Sequence, residues 1–331
     1  MKINRFMKKR CFLKILLFLI VGMVILSGCT NSQVLKKKDE GKQPEKPKEN
    51  SPYYFSFTVT KEEGDKLNTY TYISDFETKK IEEKSKIPYT SQYPLTVYLD
   101  SKDEVYYTHR EDGTGEDEIY RKECKSLEGE RLTDSLFAVN YILPFADSVY
   151  LVAVENGTRA MGLFKFENGK ICRILKDEDA FVWQVNYNPD LEKIVFNTYS
   201  QPEFDEKMAN NMGEESFGVN TIYEMDLATE SIRKVGDVEE GYMTAIALDS
   251  SGDIYYQIGD WYRLEDGKSQ KTSIFEGVQM DELISMQNSK VYYISYESEI
   301  IGYDLETGEK ELFYALKEKN AAINNAVLLR R

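Results

Sequence analysis

Short apolar runs broken by turn-like spacers recur along most of this chain, most clearly around Ile284–Ala315. There the runs Val291–Tyr296, Ile300–Leu305 and Lys310–Phe313 follow a shorter one, Leu283–Met286. Tyr, Ile and Val fill them, side chains that suit a pleated, packed surface. The spacer Glu306-Thr307-Gly308-Glu309 supplies a Gly where a tight hairpin needs positive φ. The pattern predicts a four-stranded antiparallel meander of about 30 residues.

The same plan recurs toward the N-terminus. Aligned on the hairpin between the last two strands, the repeats are anchored at Phe76, Leu127, Phe166, Leu227, Leu264 and Leu305. The spacing averages about 46 residues, and a period of that size with several short strands per repeat is the signature of a β-propeller. The fold expected is all-β: a six-bladed β-propeller of four-stranded antiparallel blades over 53–331. The blades fall at 53–87, 95–134, 143–179, 184–238, 245–277 and 284–315. The first lacks an innermost strand, so the tail Ala321–Leu329 is expected to supply it and close the ring, removing an exposed edge. A frayed C-terminal helix is the other reading of that Ala- and Leu-rich tail. Runs such as Val149–Val154 and Ile254–Ile258 are apolar on both faces, as strands sandwiched between blades should be.

The first residues follow a different logic. Six basic residues lead into an apolar run, Ile15–Leu26, and then small residues, the three-part pattern of a secretory signal over 1–28. The run is short for a spanning helix. Residues 29–52 are rich in Lys, Glu and Pro and nearly free of apolar side chains, so they read as a flexible tether. Lys36, Lys37 and Lys38 are also suited to anionic head groups.

Charge narrows the partner classes. The chain carries a net −15, and residues 53–331 hold 30 basic against 53 acidic side chains. That balance argues against nucleic acid, which needs a basic surface. The 24 Tyr and 16 Phe against 2 Trp fit all-β structure.

Two resemblances add to this reading. Leu26-Ser27-Gly28-Cys29 resembles the lipobox of bacterial lipoproteins. That implies a lipid on Cys29, cleavage before it, and a place on the outer side of the cell membrane, anchored by acyl chains. Asn188-Pro189-Asp190 followed by Lys193–Phe196 is similar to the TolB-type propeller repeat. So are Ile119-Tyr120 through Asp134, and Asp249–Asp253 before Ile254-Tyr255-Tyr256. The likeness covers 53–331, with Leu191 where the repeat usually has Gly.

In such blades the loops between strands two and three, and the links between blades, share one face, the usual ligand face by resemblance. Here that face is acidic and aromatic. Both tryptophans, Trp183 and Trp261, fall on it, with Phe204, Phe217 and Tyr242. So do Asp112, Glu116 and Asp117 of an acidic hairpin loop, whose spacing does not match an EF-hand. The longest loop, Tyr199–Val219, adds Met208 and Met212, an adaptable surface suited to a specificity lid or partner contact. The face suits a protein, a cationic ligand or a glycan; solvated loop charges over packed rings are the plainer account.

The one His, His109, ends a strand with no nucleophile elbow nearby. Cys124 and Cys172 lie in adjacent blades and either pair or stay free. No Gly-rich phosphate loop, metal site or cofactor is expected. The function expected is a membrane-anchored binding or scaffold module without catalysis. The alternative is a carboxylate-based glycan hydrolase or lyase, which needs no His but does need a carboxyl of raised pKa near Trp183 or Trp261.

Overall fold

The computed structural model describes residues 51–111, 114–210 and 217–331. The leader, Cys29 and most of the tether lie outside the described residues. The described residues form six four-stranded antiparallel sheets arranged as the blades of a ring. Blade one combines β1 (Tyr53–Glu63), β2 (Lys66–Asp75) and β3 (Ile81–Pro88) with the last strand, β24 (Ala321–Arg330). Blade two holds β4 (Thr96–Leu99), β5 (Glu104–His109), β6 (Glu118–Glu123) and β7 (Glu130–Arg131). Blade three holds β8 (Leu136–Phe145), β9 (Ser148–Glu155), β10 (Gly162–Glu167) and β11 (Lys170–Arg173). Blade four holds β12 (Ala180–Asn188), β13 (Lys193–Ser200), β14 (Val219–Asp226) and β15 (Ile232–Glu240). Blade five runs from β16 (Ala245–Leu248) through β17 (Ile254–Ile258) and β18 (Asp260–Glu265) to β19 (Lys268–Lys271). Blade six runs from β20 (Glu282–Gln287) through β21 (Lys290–Ile294) and β22 (Glu299–Asp304) to β23 (Lys310–Ala315).

The C-terminal tail is a strand, not a helix. β24 lies antiparallel to β1, from Tyr53 opposite Arg330 to Lys61 opposite Ala321. Ala and Leu are good helix formers, but β1 offers a row of unpaired backbone groups, and pairing them outweighs a weak local preference.

In five of the six blades the hairpin between the last two strands is built in one of two ways. In blades one, four and six an Asp heads the turn and accepts from a Thr three residues on. Asp75 takes Thr78 N at 2.9 Å, Asp226 takes Thr229 N at 2.8 Å, and Asp304 takes Thr307 N at 2.9 Å. The next residue then turns left-handed, at Lys79 (φ 57), Glu230 (φ 58) and Gly308 (φ 74). Blades three and five use Asn168-Gly169 and Asp266-Gly267, both residues at positive φ, as a two-residue hairpin turn requires.

Aromatic side chains fill the space between blades. Phe55 and Phe57 of β1 are fully buried, and the Phe55 ring meets Phe313 of blade six edge-on at 4.8 Å. Burying each such ring contributes about 2–3 kcal/mol. Cys124 and Cys172 are both free thiols; burial, with Asp103 beside it, pushes the Cys124 thiol up to about 12.

Two blades begin earlier than the alternation predicts: blade three at Leu136 rather than 143, and blade four at Ala180 rather than 184. In both, the inner strand is bulged, and a bulge breaks the period of two by which a strand is read.

Candidate functional site

Those bulges build the mouth of the central channel. Four of the six innermost strands carry at least one. Between β8 and β9 the register skips Asn140. Between β12 and β13 it slips across Trp183 and Gln184. Between β20 and β21 it skips Ile284, and between β24 and β1 it skips Asn324. The displaced residues Asn140, Trp183, Gln184 and Asn324 line one cavity of about 310 Å³, and Gln184 and Ile284 line a second of about 320 Å³. The two share Tyr141, Gln184, Val185, Glu282, Ala326 and Val327. A bulge re-aims a side chain without ending the sheet, so four of them facing one axis make a polar pocket from strands that are otherwise apolar. Gln184 N, freed from the ladder, is held by Asn197 Oδ1 at 2.8 Å.

The far side of the axis is tied shut by side chains. Asn188, fully buried, donates from Nδ2 to Leu248 O at 2.8 Å and Met286 O at 3.1 Å. Asp190 accepts from Ser250 Oγ at 2.6 Å and Gln287 Nε2 at 3.2 Å, and from the Tyr53 hydroxyl. The inner strands of blades four, five and six are thereby joined at one end, and the bulged end faces the loops.

Glu282 is the charged residue common to both cavities. Protein around the channel raises its pKa to about 8, with the charge of Asp281 adding to the rise. Glu282 itself stands exposed to solvent at the start of β20. Burial also raises the Tyr141 hydroxyl, and the charges of Tyr187 and Glu282 act in the same direction.

Beside the mouth lies an aromatic cluster. The 200–219 segment is not all loop: α1 (Gln201–Ala209) begins at Ser200, whose Oγ accepts from Glu203 N at 3.3 Å, with Pro202 in its first turn. α1 carries Phe204 to within 5.0 Å of Phe217, ring to ring. Phe217 meets Tyr242 at 4.9 Å and Trp183 at 6.3 Å, and Trp183 meets Tyr242 at 5.5 Å. The Trp183 indole N–H is fixed by Met243 O at 3.0 Å.

Trp183, Phe204, Phe217 and Tyr242 therefore converge, and Met208 stands exposed on the same helix. Trp261 does not join them: it stacks on Phe275 at 4.0 Å in the layer between blades five and six. Met212 and Asp112 lie outside the described residues. Asp117 is fully buried, held by Arg110 Nε at 2.9 Å and accepting from Gln92 N at 3.1 Å, so it pins one interblade link to a loop. Glu118 beside it takes Leu136 N at 3.1 Å and the Thr133 hydroxyl, tying blade two to blade three. Glu116 is half-buried with no ion pair among the described residues. The channel residues Asn140, Gln184, Asn186, Asn324 and Asn325 were not foreseen; clustered Asn and Gln inside strand-like runs are the signal that marks them.

No protein-family model matches the sequence, and no curated protein is similar to it in sequence. Solved structures are similar in fold. A chain from a nidogen/laminin complex superposes with a TM-score of 0.52 at 11% identity, over 83% of this chain and 98% of that one. TolB from Acinetobacter baumannii superposes with a TM-score of 0.54 at 13% identity, over 84% of this chain and 67% of that one. At these identities the likeness shows the fold alone, and the fold is a TolB-like six-bladed β-propeller.

Proposed function

We propose that this protein is a binding module, lipid-tethered through Cys29 on the outer side of the cell membrane, that docks a protein with a basic surface on its loop face. The observation that carries the docking is where apolar side chains are left in water. Among the described residues twelve large ones are exposed. Nine of them lie at the loop face: Leu67, Tyr89, Tyr93, Phe137, Met208, Val219, Tyr242, Ile274 and Tyr296. Scattered exposed apolar residues are ordinary, but concentration on one face of a monomer marks an interaction surface. Tyr and Met are residues that protein interfaces favour.

Charge selects the partner. Of the basic residues of this face, Arg110 is engaged by Asp117, Arg159 by Asp205, Lys207 by Glu203 and Glu240, and Lys61 by Glu318, while Lys66, Lys176, Lys317 and Lys319 have no ion pair among the described residues. Asp65, Glu116, Glu178, Asp179 and Glu206 have no such partner among the described residues and set an acidic rim. That one structural neighbour comes from a nidogen/laminin complex agrees with a protein ligand. The tether rests on the lipobox resemblance, and Cys29→Ser is expected to release the protein from membranes without detergent. Tyr296→Asp combined with Met208→Asp is expected to abolish recovery of the partner while leaving the unfolding midpoint near that of the parent; full recovery would remove the docking reading.

The second reading, a glycan hydrolase or lyase, is favoured by Glu282, a carboxyl of raised pKa in a cavity that Trp183 also lines. It requires release of reducing ends from an envelope glycan that Glu282→Gln abolishes.

A further inference from the structure

We propose that the channel mouth binds a small primary amine in its ammonium form, with the Glu282 carboxylate as counter-ion and the Asn186 and Asn325 amide oxygens as acceptors. Asn186 is 2% exposed and lines the cavity, yet its Oδ1 has no hydrogen-bond partner. Its amide cannot turn over freely, because Nδ2 is held by Ile284 O at 3.0 Å. Asn325, on the adjoining cavity, likewise has an Oδ1 that is buried and unpartnered. A buried acceptor left unmet is costly, so two at one pocket point to a donor that the protein itself does not supply.

The remaining lining says what kind of donor. Neither cavity is lined by a Lys, Arg or His, so an anion has no counter-charge there. Glu282 has no ion pair among the described residues, and no cation is among the groups acting on its carboxyl. An ammonium brings one positive charge and three N–H donors to a site with carboxylate and amide oxygens. Calcium wants six to eight hard oxygens, and among the described residues no three His, Cys, Asp or Glu converge. Val185, Leu283 and Val327 offer an aliphatic body apolar walls, and Tyr93, Tyr141 and Trp183 place aromatic rings around a cation. The four bulges show that this lining is built: each departs from regular pairing at a point where the strand meets the channel.

The site borders the docking face, with which it shares Tyr93, and its test needs no partner. The full-length chain is titrated with n-butylamine and, in parallel, with n-butanol, its neutral counterpart. The titration runs at about pH 9, above the Glu282 pKa and below that of the amine. The Trp183 indole N–H signal is the local reporter. Saturable shifts with butylamine, none with butanol, and at least about tenfold weaker binding in Glu282→Gln and in Asn186→Leu are expected, since losing one charged contact is worth about a factor of ten or more. Glu282→Gln keeps shape and is not expected to disturb folding. Absence of saturation by butylamine, or equal affinity in Glu282→Gln, would overturn the proposal.

Discussion

The side-chain amide of Asn188 donates to the main-chain oxygen of Leu248 at 2.8 Å, joining the inner strands of the neighbouring blades four and five. The same side chain accepts at Oδ1 from Asp190 N at 2.9 Å and Leu191 N at 3.1 Å, forming the turn after β12. One residue thus closes a turn in blade four and satisfies one inner-edge carbonyl in each of blades five and six. Asn188→Ala strips partners from two buried carbonyls and two N–H groups. At about 1 kcal/mol for each, we expect a loss of about 2–4 kcal/mol, read as a lower urea midpoint with an unchanged m-value. A shift within about 0.5 kcal/mol would contradict the bridging role.

Ring closure depends on the last strand. Removing 321–331 takes away the partner of β1 along its whole length and exposes its inner edge. We expect the shortened chain to lose cooperative unfolding and to aggregate, checked by calorimetry and light scattering. A monomeric product with a sharp transition near the parent midpoint would show that β24 is dispensable.

Glu282 makes stability depend on pH with a definite sign. Its ordinary value of 4.5 is raised to about 8 in the folded state, so folding favours the protonated carboxyl. Below about 4.5 both states hold the proton and the group contributes nothing. As pH rises from there toward 8, the unfolded chain releases the proton while the folded state, with Asp281 and Tyr141 facing the carboxyl, still holds it, and stability falls; above about 8 both states are ionised and the loss stays constant. Glu282→Gln removes that burden. The variant is expected to melt at the same temperature as the parent at acid pH and above it at alkaline pH, the gap opening between those two values. A gap that closes toward alkaline pH would refute the assignment.

Phe217 is the ring on which the aromatic cluster turns, touching Phe204, Tyr199, Tyr242 and Trp183. Phe217→Ala is expected to cost about 1–3 kcal/mol, less than a fully buried Phe, since this one is half-buried. It also frees α1, so limited proteolysis within 200–219 is expected to quicken. Unchanged cleavage would mean the helix is held by something else.

The repeat was legible because its hairpins are. A Phe or Leu followed by Asp-Gly, Asn-Gly or x-Thr-x marks the same corner of most blades, and tyrosine-rich runs fill the strands between. The closing strand was legible from a missing partner: blade one had three strands and the tail had the right length. α1 was not read, because the 199–219 segment shows no apolar period, although Ser200 with Glu203 three residues on and Pro202 between them is a helix start. The channel residues escaped for a deeper reason. Asn140, Gln184, Ile284 and Asn324 sit at bulges, which a reading by alternation registers only as a strand beginning late. Asp117 looked like rim acidity and is a buried staple, a difference set by Arg110 and Gln92 coming close in space.

The docking face is tested most directly by site-specific photo-crosslinking in native membranes. A crosslinking residue is placed singly at Tyr242, Tyr296 or Met208 on the loop face, and at Leu127 or Ile81 on the opposite one. We expect one common heavier adduct from the loop-face positions and none from the others. An adduct of that size from Leu127 and Ile81, with none from Tyr242, Tyr296 or Met208, would contradict the account.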